Sequence, residues 1–195
     1  MLERAVRMCH EVELLAYVPS IATALGTVYT LGGRLADAVP LLTQAMNQSH
    51  AMALRASQAP RSLSLGEAQM LAGHLEEAYV LAERTLTLTR AHQKRGHEAW
   101  ALRLLGEIAT RREPLASEGA ESYDRQALAL ALADELGMRP LVAHCHLGLG
   151  TLYAATGQRE QARAALSTAI TLYQAMEMAF WLPEAEAALA QVEGR

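Results

Sequence analysis

The chain has 195 residues and a net charge of −4, with 51% apolar residues but only 5% aromatic ones. Ala and Leu supply most of the apolar count and favour helix, and no basic face is concentrated enough for a nucleic-acid footprint. Cys9 and Cys145 stand too far apart for a disulfide framework, and no apolar run reaches the roughly 18–20 residues of a membrane span.

In chain order, helices are expected near 1–17, 20–32, 34–54, 58–72, 75–94, 96–111, 118–136, 139–156, 159–176 and 180–193. The first, MLERAVRMCHEVELL, is charged and amphipathic and has no signal-peptide core. Pro19, Pro60, Pro140 and Pro183 lie close to helix starts, where proline is tolerated. Pro40 falls in the second turn of the third helix, and Pro114 in the irregular stretch RREPLASEG. Gly33, Gly73 and Gly157 end first helices of hairpins, since glycine accepts the left-handed cap.

The elements repeat. Leu-Gly recurs at Leu25-Gly26, Leu65-Gly66, Leu105-Gly106 and Leu149-Gly150, at spacings of 40, 40 and 44. Ala38, Ala78 and Ala162 follow twelve after their glycine, and Ala120 comes two residues late. Ala45, Thr85, Ala127 and Ala169 follow seven further on. Small residues at a fixed offset mark the place where two antiparallel helices cross closely. Extended past both ends, the frame reaches Ala5 and Leu189-Ala190. The chain therefore reads as an orphan second helix (1–18), four hairpins (about 19–57, 58–95, 96–138 and 139–178) and an orphan first helix (179–195). Together they form one all-α, right-handed superhelical solenoid domain over 1–195.

Leu25, Gly26, Tyr29, Ala38 and Ala45, and likewise Leu149, Gly150, Tyr153, Ala162 and Ala169, resemble the tetratricopeptide repeat (TPR). Gln69 and Ala109 replace the motif tyrosine in the middle copies, the helix-end proline is missing, and a period near 40 implies longer helices than the usual 34-residue unit. The segment from Leu132 to Ala190 further resembles the C-terminal repeat regions of bacterial signalling ATPases, chains that often carry a class III nucleotidyl cyclase or a LuxR-type DNA-binding domain. Neither of those modules nor a phosphate-binding G-x-x-x-x-G-K-[ST] loop is present here. The orphan first helix fits a fragment of a longer array or a small stand-alone relative.

No catalytic or metal constellation stands out. His144-Cys145-His146 are consecutive on a helix and diverge by about 100° each, so packing is the expectation and metal is not. His10 and Cys9 belong to a distant helix. Glu76-Glu77 and Asp134-Glu135 read as solvated surface. Trp181 is expected to cap the last hairpin, and Met176 and Met178 to fill a helix end.

In such repeats the first helices line the concave side. That gives groove candidates Leu63, Glu67, Trp100, Arg103, Glu107, Arg111, His144, Leu147 and Thr151. The leading expectation is a non-catalytic, cytoplasmic scaffold that seats a peptide or partner domain in the groove, anchored near Leu63 and Trp100 and oriented by Arg103 and Glu107. No cofactor, metal, nucleic acid or membrane is expected as a partner. Leu2, Val6, Leu14 and Leu15 give the first helix an apolar face that suits a homodimer. The alternative is a sensor domain of a signalling or transcription regulator that holds a small polar effector near Trp100, Arg103 and Glu107.

Overall fold

The computed structural model describes residues 1–54, 58–112, 117–132 and 137–194, less the side chains of 10, 117, 118 and 127–132. Among them run ten α-helices: α1 (Leu2–Glu11), α2 (Val18–Leu31), α3 (Leu35–Ala51), α4 (Gln58–Leu71), α5 (Leu75–Ala91), α6 (Arg95–Arg111), α7 (Ser117–Leu132), α8 (Arg139–Ala155), α9 (Arg159–Ala175) and α10 (Leu182–Glu193). A short 3₁₀ turn, Leu15–Tyr17, precedes α2. Pro114, Asp134 and Glu135, the side chains of Ala127 and His10, and the end of the helix expected over 118–136 lie outside the described residues.

The chain divides into two compact units, Met1–Ala91 and His92–Arg195. In the first, α2 pairs with α3 and α4 with α5, while α2 also lies beside α4 and α1 packs on α2. In the second, α6 pairs with α7 and α8 with α9, while α6, α8 and α10 lie side by side. Each unit thus stacks antiparallel hairpins, with first helices against first helices, which is the packing of a helical-repeat solenoid.

The repeat frame is the core. Ala38, Ala78, Ala120 and Ala162 are all at 0% exposure. At Gly26 and Gly150 an added Cβ would sit 2.5 and 2.6 Å from the Cγ of Leu42 and Leu166. The leucine sixteen residues after each of these glycines therefore fills the space its missing side chain leaves.

The helix ends show a second periodicity. Backbone at positive φ recurs at Glu13, Ala53, Gln93 and Glu177, two residues past the ends of α1, α3, α5 and α9, and at Gly137 just before α8. Leu14, Leu54 and Met178 then donate their N–H back to Cys9, Ser49 and Tyr173 carbonyls, closing a Schellman cap. Four of these five left-handed positions are not glycine, so composition does not announce them. The expected ends at 54 and 94 overshoot for that reason: α3 stops at Ala51 and α5 at Ala91. It also corrects the first helix, expected over 1–17. Glu13 at φ 56° breaks it after Glu11. Leu14 and Leu15 therefore belong to the turn before α2, not to a continuous face of α1.

Candidate functional site

The second unit contains a cavity of about 440 Å³ between α6, α8 and α10, floored by α7. Arg103, Glu107, Thr110 and Arg111 line it from α6, and His144, Leu147, Gly148, Thr151 and Ala155 from α8. Trp181 and Glu184 close it at the start of α10, and Asp124 reaches it from α7. The α6 and α8 residues recur at helical i, i+3 and i+4 spacing, which gathers them on one face of each helix.

Six of the nine groove candidates meet here: Arg103, Glu107, Arg111, His144, Leu147 and Thr151. Trp100 stands one turn before Arg103, whose guanidinium carbon lies 5.2 Å from its ring centroid, and 5.9 Å from the His144 ring. Leu63 and Glu67 lie half-buried on α4, in the other unit. There, the buried Arg61 donates to the hydroxyls of Ser49 and Ser20 at 3.0 and 2.9 Å.

Arg103 and Arg111 both hold Glu107, at 2.7 and 2.9 Å on separate carboxylate oxygens. Burial disfavours the Glu107 charge, but the two guanidinium groups outweigh it and hold the carboxyl below its usual range. His144 packs edge-on to Trp181, with ring centroids 4.7 Å apart, and its Nδ1 shares a 2.8 Å hydrogen bond with the Tyr173 hydroxyl. Burial, with Arg103 nearby, pushes the imidazole down to about 4, so the ring is neutral at pH 7. Its neighbour Cys145 points into the core, fully buried, and burial pushes its thiol up to about 12. That thiol is inert and structural.

Asp124 is the residue that sequence reasoning missed. It is 1% exposed, and its Oδ2 has no hydrogen-bond partner among the described residues. It occupies the position held by Leu42 and Leu166 in the first and fourth hairpins, displaced by the two-residue slip that also moves Ala120. A Cβ on Gly106 would sit 2.6 Å from Asp124 Oδ1, and one on Gly148 3.1 Å from Oδ2. The carboxyl is thus sandwiched between α6 and α8. Burial raises it well above the ordinary aspartate range, and the nearby Arg103 does not reverse that. The signal that could have found it was the frame itself, counted to the glycine-facing position. Trp181 and Glu184 were also missed as lining: Trp181 covers the Tyr173–Ala185 cluster as expected of a cap, and it is in addition a cavity wall.

No protein-family model and no curated protein matches the chain. Solved structures do. BtubC (BKLC) from P. vanneervenii is similar with a TM-score of 0.70 and 18% identity over 98% of this chain and 78% of that one. A putative kinesin light chain from Podospora anserina, described as nearly identical TPR-like repeats, is similar with a TM-score of 0.60 and 20% identity over 89% and 92%. At this identity the likeness establishes the fold, and the fold is a TPR-like all-α helical repeat.

Proposed function

We propose that the chain is a non-catalytic interaction module that seats a segment of a partner protein against its first-type helices, with the α6–α8–α10 cavity as the anchor point in the second unit. The observation that carries this reading is the cavity itself. It is lined mainly by first-type helices, the ones repeat folds use for binding, and its volume lies in the range of sites that take a side chain or small ligand. His144 and Trp181 give it aromatic walls, with Trp100 packed behind His144, and the Arg103–Glu107–Arg111 array gives it a fixed polar edge.

A display selection of random peptides against the full chain tests this. Peptides are expected that bind wild-type protein and lose at least tenfold in affinity to a Thr151→Trp variant that fills the cavity but unfolds at the wild-type temperature. Selected peptides indifferent to that substitution would sink the cavity as the anchor.

Self-association is a second reading, favoured by the first unit. Met8, Val12, Leu14, Leu15 and Tyr17 cluster around α1 and the turn after it at 45–61% exposure, more apolar surface than isolated residues present. Leu2 and Val6 are half-buried. Light scattering behind size exclusion is expected to give a dimer at tens of micromolar, and a monomer for Met8→Glu/Val12→Glu. A wild-type monomer across that range would remove the reading.

A further inference from the structure

We propose that the α6–α8–α10 cavity is a binding site for a primary ammonium group, which ion-pairs with Asp124 at the cavity floor. The inference rests on the reading of this helix face as the binding face and names the chemistry it recognises.

The fold does not need a carboxyl at position 124. The equivalent residues are Leu42, Ala82 and Leu166, all apolar and buried. A buried carboxylate without a partner is costly, and a native structure that keeps one calls for an explanation. The surroundings are also cut to fit it. The residue two before the frame glycine is Ala24, Ser64 and Leu104 in the first three hairpins and Gly148 in the fourth. Only glycine there leaves space for Asp124 Oδ2 without a shift, since a Cβ would stand 3.1 Å away. Two departures from the repeat, on different helices, thus meet to house one carboxyl in the wall of a cavity.

Several acceptors in the lining are not already committed. The Arg103 and Arg111 guanidinium groups are held on Glu107. The hydroxyls of Thr110 and Thr151 donate to the carbonyls of Gly106 and Leu147, each a turn earlier on its own helix, and leave lone pairs toward the cavity. Glu184 adds a second carboxylate at the rim. Asp124 and Glu184 thus stand as acceptors beside the Arg103–Glu107–Arg111 array, and an occupant that supplies donors and positive charge matches them. Trp181 is part of the lining, and an indole ring favours a cation over a neutral group. A single partnerless oxygen suits the compact ammonium of an alkylamine better than a guanidinium, which asks for a planar two-point partner. The volume of about 440 Å³ leaves room for an alkyl stem beside Leu147 and Ala155.

That ammonium has two sources: a lysine side chain of the seated segment, or a free alkylamine. Isothermal titration calorimetry on the full chain at pH 7 tests the shared chemistry with pentylamine, its uncharged isostere 1-pentanol, and Nα-acetyl-lysine methylamide. An amine is expected to bind at least tenfold more tightly than 1-pentanol. The binding is expected to fall at least tenfold in Asp124→Asn and to vanish in Asp124→Leu, with thermal unfolding showing that both variants are folded. Tighter binding of the lysine derivative than of pentylamine supports the proposal with a partner lysine as the source. The reverse order supports it with a free amine. Absence of amine binding at millimolar concentration, or equal binding by Asp124→Asn, overturns it. If cavity-dependent peptides from the display selection also bind Asp124→Asn unchanged, the ammonium inference falls while the groove reading stands.

Discussion

Asp124→Leu is expected to stabilise the second unit by about 2 kcal/mol at pH 7, the cost of a buried polar group left without a partner. Leucine at this position restores the contact that Leu42 and Leu166 make with Gly26 and Gly150, so the gain does not come with a clash. The pH dependence separates this cause from better packing. Burial raises the folded-state pKa of Asp124 well above 3.8, its ordinary value. Above that ordinary value the unfolded chain gives up a proton that the folded chain keeps, so the wild type loses stability as pH rises, until the folded pKa is reached. The leucine variant has no such group. The difference between the two is therefore smallest near pH 4 and grows towards neutrality. Trp100 and Trp181 are the only tryptophans and both lie in the second unit, so urea unfolding followed by tryptophan fluorescence at pH 4, 5.5 and 7 reports on it directly. A leucine variant less stable than wild type at pH 7, or a difference that does not change with pH, would contradict the account.

Glu107→Ala is expected to act in the opposite direction, costing about 2–3 kcal/mol at pH 7. Breaking a buried ion pair costs roughly 3–5 kcal/mol, and the 28% exposure of the Glu107 side chain reduces that. Its removal leaves the Arg103 and Arg111 charges on one helix face without the carboxylate between them, and Arg103 is only 12% exposed. Burial works against ionisation of Glu107, yet the two arginines win and its folded pKa lies below 4.5. A depressed carboxyl contributes stability that is present above the unfolded value and lost as pH falls through the folded one. The deficit of the alanine variant should therefore be full at pH 6–7 and shrink below pH 4.5. Glu107→Gln, which keeps the shape and one acceptor, should lose less. Unfolding curves that coincide for wild type and Glu107→Ala at pH 7 would show the array to be ornamental to stability. The two variants also move the cavity in opposite ways, since one removes the carboxyl at its floor and the other frees the guanidinium groups on its wall. Their effects on amine binding are accordingly distinct from their effects on folding.

The hairpin repeat was legible because it is written in local periodicity. Leu25-Gly26, Ala38 and Gly33 recur at fixed offsets, and each offset follows from one helix turn or one close helix crossing. The same holds for the groove candidates Arg103, Glu107 and Arg111, and for His144, Leu147 and Thr151, which share faces of single helices at spacings a reader can count. The breaks at Glu13, Ala53 and Gln93 were not legible, because left-handed backbone at residues with a side chain is imposed by the cap and leaves no glycine as a sign. Asp124 was hidden for a different reason. In the sequence it is one acidic residue among 21, on a helix whose register slips by two. It becomes a buried carboxyl only once α7 is laid between Gly106 and Gly148, which stand 42 residues apart. Sequence by itself determined which helices form and which of their faces turn inward, since both depend on contacts within about one turn. Tertiary structure alone decided which residues close the cavity and which carboxyl it leaves without a partner, because burial and desolvation belong to the packed helices together.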